Sequence, residues 1–264
     1  MRKTLVWHIG GPTWARPILT AKTGVAARPG MRSFIIHMSS STARRSNVDL
    51  LCSDLPDASV VEAVDGRKLD RRVELSGTRF TPHYPFAMRG PEIGVFESHR
   101  KIWAKMVDEN IPFALIVEDD LQVDNTRFDQ ILSWLTPRLS PEQYVRLPVK
   151  QRERPAQILG SGPDVQLILP KVIGLQCICQ IVGQSAARKL LDATKQYDRP
   201  VDTFLQMHWI TKQPVHTVLG CGNREVAAEL GGSTIQAKPS DNKLAREFNR
   251  ARYRLAVARR PQRP

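Results

Sequence analysis

Pro112-Phe113-Ala114-Leu115-Ile116-Val117-Glu118-Asp119-Asp120 is the stretch that decides the fold. Residues 113–117 are apolar without alternation, the pattern of a strand buried on both faces. Such a strand needs helices on both sides of its sheet. Upstream, residues 92–110 place Ile93, Phe96, Trp103, Met106 and Val107 near helical spacing, which reads as an amphipathic helix, and Pro91 suits its first turn. Further upstream, residues 33–38 and 59–64 are short β-branched runs with a polar helical segment, 42–53, between them. Residues 67–90 are rich in Arg, Pro and Gly and read as a loop. Downstream, 128–135, 184–197 and 201–210 read as helices, and 144–149, 165–169, 175–182 and 214–219 as strands. The alternation predicts an α/β protein with a mainly parallel central sheet flanked by helices.

The charge excess invites a nucleic-acid reading. The chain has 264 residues, 39 Lys+Arg and 26 Asp+Glu, a net +13. Residues 1–30 hold five basic and no acidic groups, and residues 239–264 hold eight basic and two acidic. The body from 31 to 238 therefore carries only +2. It also lacks the stacking aromatics or recognition helix that a nucleic-acid module needs, so no nucleic-acid partner is expected. Cys52, Cys177, Cys179 and Cys221 show no C-x-x-C spacing. They predict thiols in a reducing compartment, with Cys177 and Cys179 as core residues on one face of a strand.

Three segments follow from composition. Residues 1–30 are expected to be a disordered leader upstream of a true start at Met31, the alternative being a basic targeting arm. Residues 31–238 form the main domain. Residues 239–264 form a basic helix, with Leu244, Phe248, Ala251 and Leu255 on one stripe among basic side chains. That pattern suits an anionic membrane surface, and it equally suits a helix whose stripe packs on the domain.

The chemistry is expected where the buried strand ends, because open α/β sheets bind ligands at the carboxyl ends of their strands. Glu118, Asp119 and Asp120 repel one another if simply buried together. A divalent cation such as Mg²⁺ or Mn²⁺ relieves that repulsion, and a solvated acidic turn avoids it. The N-terminus of the Glu92 helix favours an anion such as a diphosphate. Gly94 leaves room for close approach by backbone or ligand, and His99 reads either as a cleft residue or as a satisfied half-buried histidine. Asp202 can cap a helix or act as a general base.

The string Glu92-Ile93-Gly94, then Ser98-His99, then the buried strand with Glu118-Asp119-Asp120, resembles glycosyltransferase family 25. The residues Glu62-Ala63-Val64-Asp65-Gly66, Pro200-Val201-Asp202 and Ser233-Thr234-Ile235 follow the family's order, over roughly 31–238. The resemblance implies a GT-A type fold, a UDP-sugar donor (UDP-galactose first), Mn²⁺ or Mg²⁺, and inversion at the anomeric carbon. It implies metal ligation by Asp120 and Glu118, and donor contacts from Arg45, Asp65, Gly66, Glu92, His99, Glu118 and Asp119. Asp202 is the implied base. The acceptor implied is a glycan or glycolipid, such as a lipooligosaccharide core. That places the enzyme in the cytoplasm, peripheral to the inner membrane. A family member that has lost activity and serves as an interaction module is the alternative. Pro91 and Val95 stand where relatives often carry Gly and Cys, and Glu97 replaces a small or apolar residue. The basic segment 147–160 reads as an acceptor-binding loop.

Overall fold

A computed structural model describes residues 31–69, 79–231 and 243–264. The expected leader and the Ser233-Thr234-Ile235 segment lie outside the described residues.

The chain opens with β1 (Arg32–His37), α1 (Arg45–Asp54), β2 (Ala58–Glu62), α2 (Gly90–Asp108), β3 (Phe113–Glu118), β4 (Leu121–Gln122) and α3 (Asn125–Leu135). It continues through β5 (Tyr144–Arg146), β6 (Pro155–Gly162), β7 (Val165–Pro170), β8 (Cys179–Gly183), α4 (Gln184–Ala193), α5 (Val201–Leu205) and α6 (His208–Thr211). The last elements are β9 (Val215–Leu219), β10 (Arg224–Glu225) and α7 (Lys243–Ala258). Eight strands form one sheet in the order β2-β1-β3-β8-β5-β9-β7-β6. β1 runs parallel to both β2 and β3, and β5 runs parallel to β9. The contacts of β8 with β3 and β5, and of β7 with β6 and β9, are antiparallel. The α/β class expected from the sequence holds. The uninterrupted parallel part is β2-β1-β3, because βαβ crossovers build that half and the β6–β7 hairpin builds the far edge.

Side-chain alternation along the strands divides the core between the two faces. Phe34, Ala114 and Ile116 pack with Phe96, Trp103 and Met106 of α2 and Leu190 of α4 on one face. Ile35, Leu115 and Val117 pack with Leu51 of α1 and Phe128 and Leu132 of α3 on the other. β3 is apolar throughout because both its faces meet helices. The exit of β1 leads to α1 on one face and the exit of β2 to α2 on the opposite face. The chain parts there and leaves a crevice at the carboxyl ends of the parallel strands, the topological switch point of an α/β sheet.

Three segments depart from the sequence reading. The segment 201–210 is two short helices, broken at Gln206 and Met207, rather than one. The strand expected at 175–182 begins only at Cys179, because Gln176 has φ +78° and cannot continue a ladder. Cys177 consequently lies in the loop before β8, and it and Cys179 pack in cores on opposite faces of the sheet. Within 147–160, residues from Pro155 onward form the edge strand β6. All four cysteines are free thiols.

The C-terminal helix packs by the face opposite its predicted stripe. Tyr253 and Val257 are buried, whereas Phe248 and Leu255 are 69% and 52% exposed. Tyr253 meets the buried Arg199–Asp198 pair through its hydroxyl, 3.1 Å from Arg199 Nη1. Arg199 in turn donates to the carbonyls of Phe80 and Pro82, fixing the loop that carries Tyr84. Beyond the helix, the Gln262 side chain bonds Val215 in β9 and Pro170 in β7. No described helix is long and apolar enough to cross a membrane.

Candidate functional site

A cleft of about 470 Å³ occupies the crevice. Asp65, Gly66, Glu92, Glu118, Asp119, Asp120 and Asp202 all line it, so seven of the nine residues singled out from sequence meet in one place. Arg45 and His99 do not. Arg45 lies on the outer face of α1, pairing with Asp49 in solvent. The preceding Arg44 turns inward instead. His99 is fully buried beneath the cleft wall. Its Nδ1 donates to the Val95 carbonyl at 2.9 Å, so Nε2 accepts from the Gln180 amide at 3.0 Å. Burial lowers its pKa, which keeps the ring neutral.

The acidic string at the end of β3 is three residues with three environments. Asp119 has both oxygens bonded to protein: Oδ2 to His37 Nδ1 at 2.7 Å and Oδ1 to Arg44 Nη1 at 2.5 Å. Asn47 adds bonds from its Nδ2 to the carbonyls of Asp119 and Leu121, at 2.8 and 2.9 Å. Asp119 is thus a structural clasp that also lines the cleft. Asp120 places Oδ2 3.1 Å from Arg44 Nη1, while its Oδ1 is buried with no hydrogen-bond partner among the described residues. Burial raises the Asp120 pKa. Glu118 is half-buried and lines the cleft. Burial, and then the charges of Asp120 and Asp119, push its carboxyl up to about 8.

The Glu92 to His99 string proves to be the seam between α2 and β2. Glu92 Oε2 accepts from the Arg89 backbone N–H at 2.7 Å and closes the first turn of α2. A Cβ on Gly94 would stand 2.4 Å from the Val64 carbonyl oxygen, and one on Gly66 would stand 2.0 Å from that of Gly90. These two glycines let the turn after β2 lie directly on the helix, as the close-approach reading of Gly94 anticipated. Ser98 Oγ accepts from the Val64 N–H at 2.8 Å and donates to the Gly94 carbonyl at 2.7 Å. Asp65 is gripped by Arg67, whose Nε and Nη2 reach its two oxygens at 2.8 and 2.9 Å and hold its carboxyl below the usual range. Glu97 faces away from the cleft and accepts from the Tyr197 hydroxyl at 2.7 Å.

Asp202 sits in the first turn of α5. Its Oδ1 accepts from the Thr203 N–H at 2.6 Å and its Oδ2 from the Gln176 N–H at 3.0 Å. Asp202 is the second residue of α5 and not its N-cap, which is Pro200 with no side-chain cap bond; its carboxylate lines the cleft. Sequence reasoning missed Arg44, Tyr84, Gln176 and Glu225, all of which line the cleft. Tyr84 is the one aromatic ring among the lining residues. Glu225 arrives because the two-residue β10 pairs with β4 directly after the acidic string, a ladder too short to leave a pattern in sequence.

Asp120 Oδ1 and the Glu118 carboxyl are oxygen donors of the kind Mg²⁺ and Mn²⁺ take. Among the described residues no group of three or more His, Cys, Asp or Glu side chains is placed to hold a metal ion. The donor set fits an ion that completes its shell with ligand oxygens. The cleft is acidic, partly open and set at the carboxyl edge of the parallel strands, where open α/β sheets bind their ligands.

Residues 31–158 match the family described as glycosyltransferase family 25 (LPS biosynthesis protein). Over this segment, just under half of its length, the chain is similar to that family. A "Glycosyltransferase 25 family member" of Drosophila melanogaster is 29% identical over 186 residues, covering 67% of this chain and 30% of that protein. "Procollagen galactosyltransferase 1" of Danio rerio is 28% identical over 169 residues, 59% of this chain and 27% of that protein. A Bos taurus relative is named "Probable inactive glycosyltransferase 25 family member 3"; it is 26% identical, covering 74% of this chain and 35% of that protein. The chain spans about a third or less of the length of these relatives. Among solved structures, a glycosyltransferase involved in glycosylation of the major capsid of PBCV-1 overlays with TM-score 0.35 at 12% identity, over 62% of this chain and 65% of that one. That likeness is too loose to bear on the fold.

The Glu118 environment makes stability depend on pH. Between the ordinary carboxyl range and about 8 the folded protein holds a proton that the unfolded chain has released. Stability therefore falls as pH rises through that window. Metal-free protein is expected to melt at a lower temperature at pH 8.5 than at pH 6, and Glu118→Gln is expected to reduce that difference. Scanning calorimetry at the two pH values checks this, and equal differences in both proteins would contradict the assignment.

Proposed function

We propose that this chain transfers a hexose, galactose from UDP-galactose in the first instance, to a hydroxyl of a glycan with inversion at the anomeric carbon. The observation that carries the reading is the unpartnered Asp120 Oδ1, buried at the cleft floor beside the raised Glu118 carboxyl, within a family 25 segment. Asp120 and Glu118 would hold Mn²⁺ or Mg²⁺; when bound, the ion neutralises charge on the diphosphate leaving group. Asp65, Arg67 and Tyr84 line the part of the cleft that suits the nucleotide. The acceptor oxygen attacks the anomeric carbon as the bond to the diphosphate breaks. UDP leaves with the electron pair, and Asp202 takes the acceptor proton. The bonds from Thr203 and Gln176 hold that carboxylate toward the cleft.

The acceptor we propose is a membrane-anchored glycolipid such as a lipooligosaccharide core, reached from the cytoplasmic face of the inner membrane. Support comes from α7. Its inner face is anchored by Tyr253 and Val257, leaving Phe248 and Leu255 exposed beside Arg252 and Arg254. Attraction of such basic groups to anionic lipid is worth about 1 kcal/mol each.

Release of UDP is the test of the reaction. Purified protein is incubated with a panel of nucleotide sugars and a lipooligosaccharide or collagen-type acceptor, with Mn²⁺ or with chelator. Metal-dependent UDP release from UDP-galactose is expected, and Asp120→Ala is expected to lose it by about 100-fold or more, consistent with the several kcal/mol a metal supplies. Release that is unchanged by chelator and by Asp120→Ala contradicts the mechanism. Binding without any release by wild type favours the inactive reading, for which the cattle relative gives precedent.

The helix is tested separately by flotation with vesicles containing phosphatidylglycerol. The double variant Phe248→Ser, Leu255→Ser leaves the Tyr253 and Gln262 anchors intact. It is expected to bind about tenfold more weakly than wild type, a loss on the scale of burying two large apolar side chains only in part. Equal flotation would remove the membrane role.

A further inference from the structure

Gln176 is held in a conformation that its own side chain resists. Its φ of +78° lies in the left-handed region that favours glycine. Three separate anchors hold it there. Its N–H donates to Asp202 Oδ2 at 3.0 Å. Its carbonyl accepts from Arg146 Nη2 at 3.2 Å, and Arg146 is itself locked by an ion pair with Glu153 in which both side chains are buried. Its Nε2 donates to Glu225 Oε2 at 3.0 Å. That last bond fixes the orientation of the amide, since a carboxylate oxygen only accepts. The Gln176 Oε1 is therefore turned away from Glu225, and it is buried with no partner among the described residues. Gln176, Asp202 and Glu225 all line the cleft.

A strained backbone maintained by three bonds, ending in an oriented but unsatisfied acceptor, is poorly explained as packing. A glycine would relieve the strain, and a leucine would leave no orphan oxygen. Gln176 lines the cleft, so its unsatisfied acceptor lies in the wall that a ligand rich in hydroxyl donors would meet. We propose that Gln176 is a specificity-determining residue of the transfer: its Oε1 accepts a hydrogen bond from one hydroxyl of the donor hexose. This rests on the nucleotide-sugar reading of the cleft and deepens it. An epimer with that hydroxyl inverted leaves the buried oxygen unpaired. A site built to hydrogen-bond a hydroxyl rejects an analogue that cannot supply it.

Calorimetry of the full chain with UDP, UDP-galactose and UDP-glucose, all with Mn²⁺, tests the proposal. Wild type is expected to bind one of the two epimers at least about tenfold tighter than the other. Gln176→Gly, which suits the observed φ, is expected to keep UDP affinity within about twofold and to bring the two epimers within about threefold of each other. Gln176→Asn tolerates the same backbone and retains a shorter amide. It is expected to show the same collapse, and it stands in if the glycine variant does not fold. A variant that keeps the wild-type epimer ratio overturns the proposal while leaving the cleft's nucleotide-sugar role intact. So does a wild type that binds UDP but does not distinguish the epimers. A wild type that binds none of the three compounds overturns the function reading and this proposal with it.

Discussion

Both carboxylate oxygens of Asp119 are committed to protein before any ligand arrives, one to His37 and the other to Arg44. That clasp joins the end of β1, the turn before α1 and the end of β3 at a single point. Asn47 reinforces it from α1 by gripping the backbone on either side of Asp120. Breaking a buried ion pair by removing one partner typically costs about 3–5 kcal/mol, because the remaining charge is stranded. The clasp therefore fixes where Glu118 and Asp120 stand on either side of it. It also sets their chemistry. Arg44 reaches one oxygen of Asp120 and leaves the other unpartnered.

The opposite wall of the cleft depends on a different constraint, the contact between α2 and the turn after β2. Gly66 and Gly94 remove the side chains that would hold those backbones apart, and Ser98 bonds across the gap. Glu92 closes the first turn of the helix from within. The signature residues of this segment are thus largely architectural. They bring Asp65, Arg67 and the first turn of α2 to the cleft, and His99 ties the same helix to Gln180 in β8. On the third side, Arg199 and Tyr253 connect the C-terminal helix to the loop that carries Tyr84.

How much of this was legible in the sequence follows from periodicity. β3 could be read because five successive apolar residues fit only a strand covered on both faces. α2 could be read because its apolar residues recur at helical spacing over nearly five turns. The acidic string, the Gly66 turn and Asp202 fall at element ends, where strand and helix assignments already point. Arg44 was missed in favour of Arg45 because a short 3₁₀ turn, Thr42–Arg44, precedes the helix and sets which arginine faces inward. Gln176 and Glu225 reach the cleft through a left-handed residue and a two-residue ladder, neither of which leaves a repeat to detect. β6 escaped notice because an edge strand has one partner only, and its register against β7 is irregular. The stripe on α7 was drawn correctly as a pattern. Which face packs was decided by Tyr253 meeting Arg199, a contact between residues 54 positions apart.

The central claim is that a sugar nucleotide and its metal lie against Asp120 and Glu118, with the hexose toward Asp202. Crystals of the chain soaked with UDP-galactose and Mn²⁺, with data collected at the manganese absorption edge, test it most directly. The account predicts an anomalous peak bonded to Asp120 Oδ1, with nucleotide density in the cleft. Nucleotide density bound elsewhere on the molecule, or bound in the cleft with no manganese peak at Asp120, would contradict it.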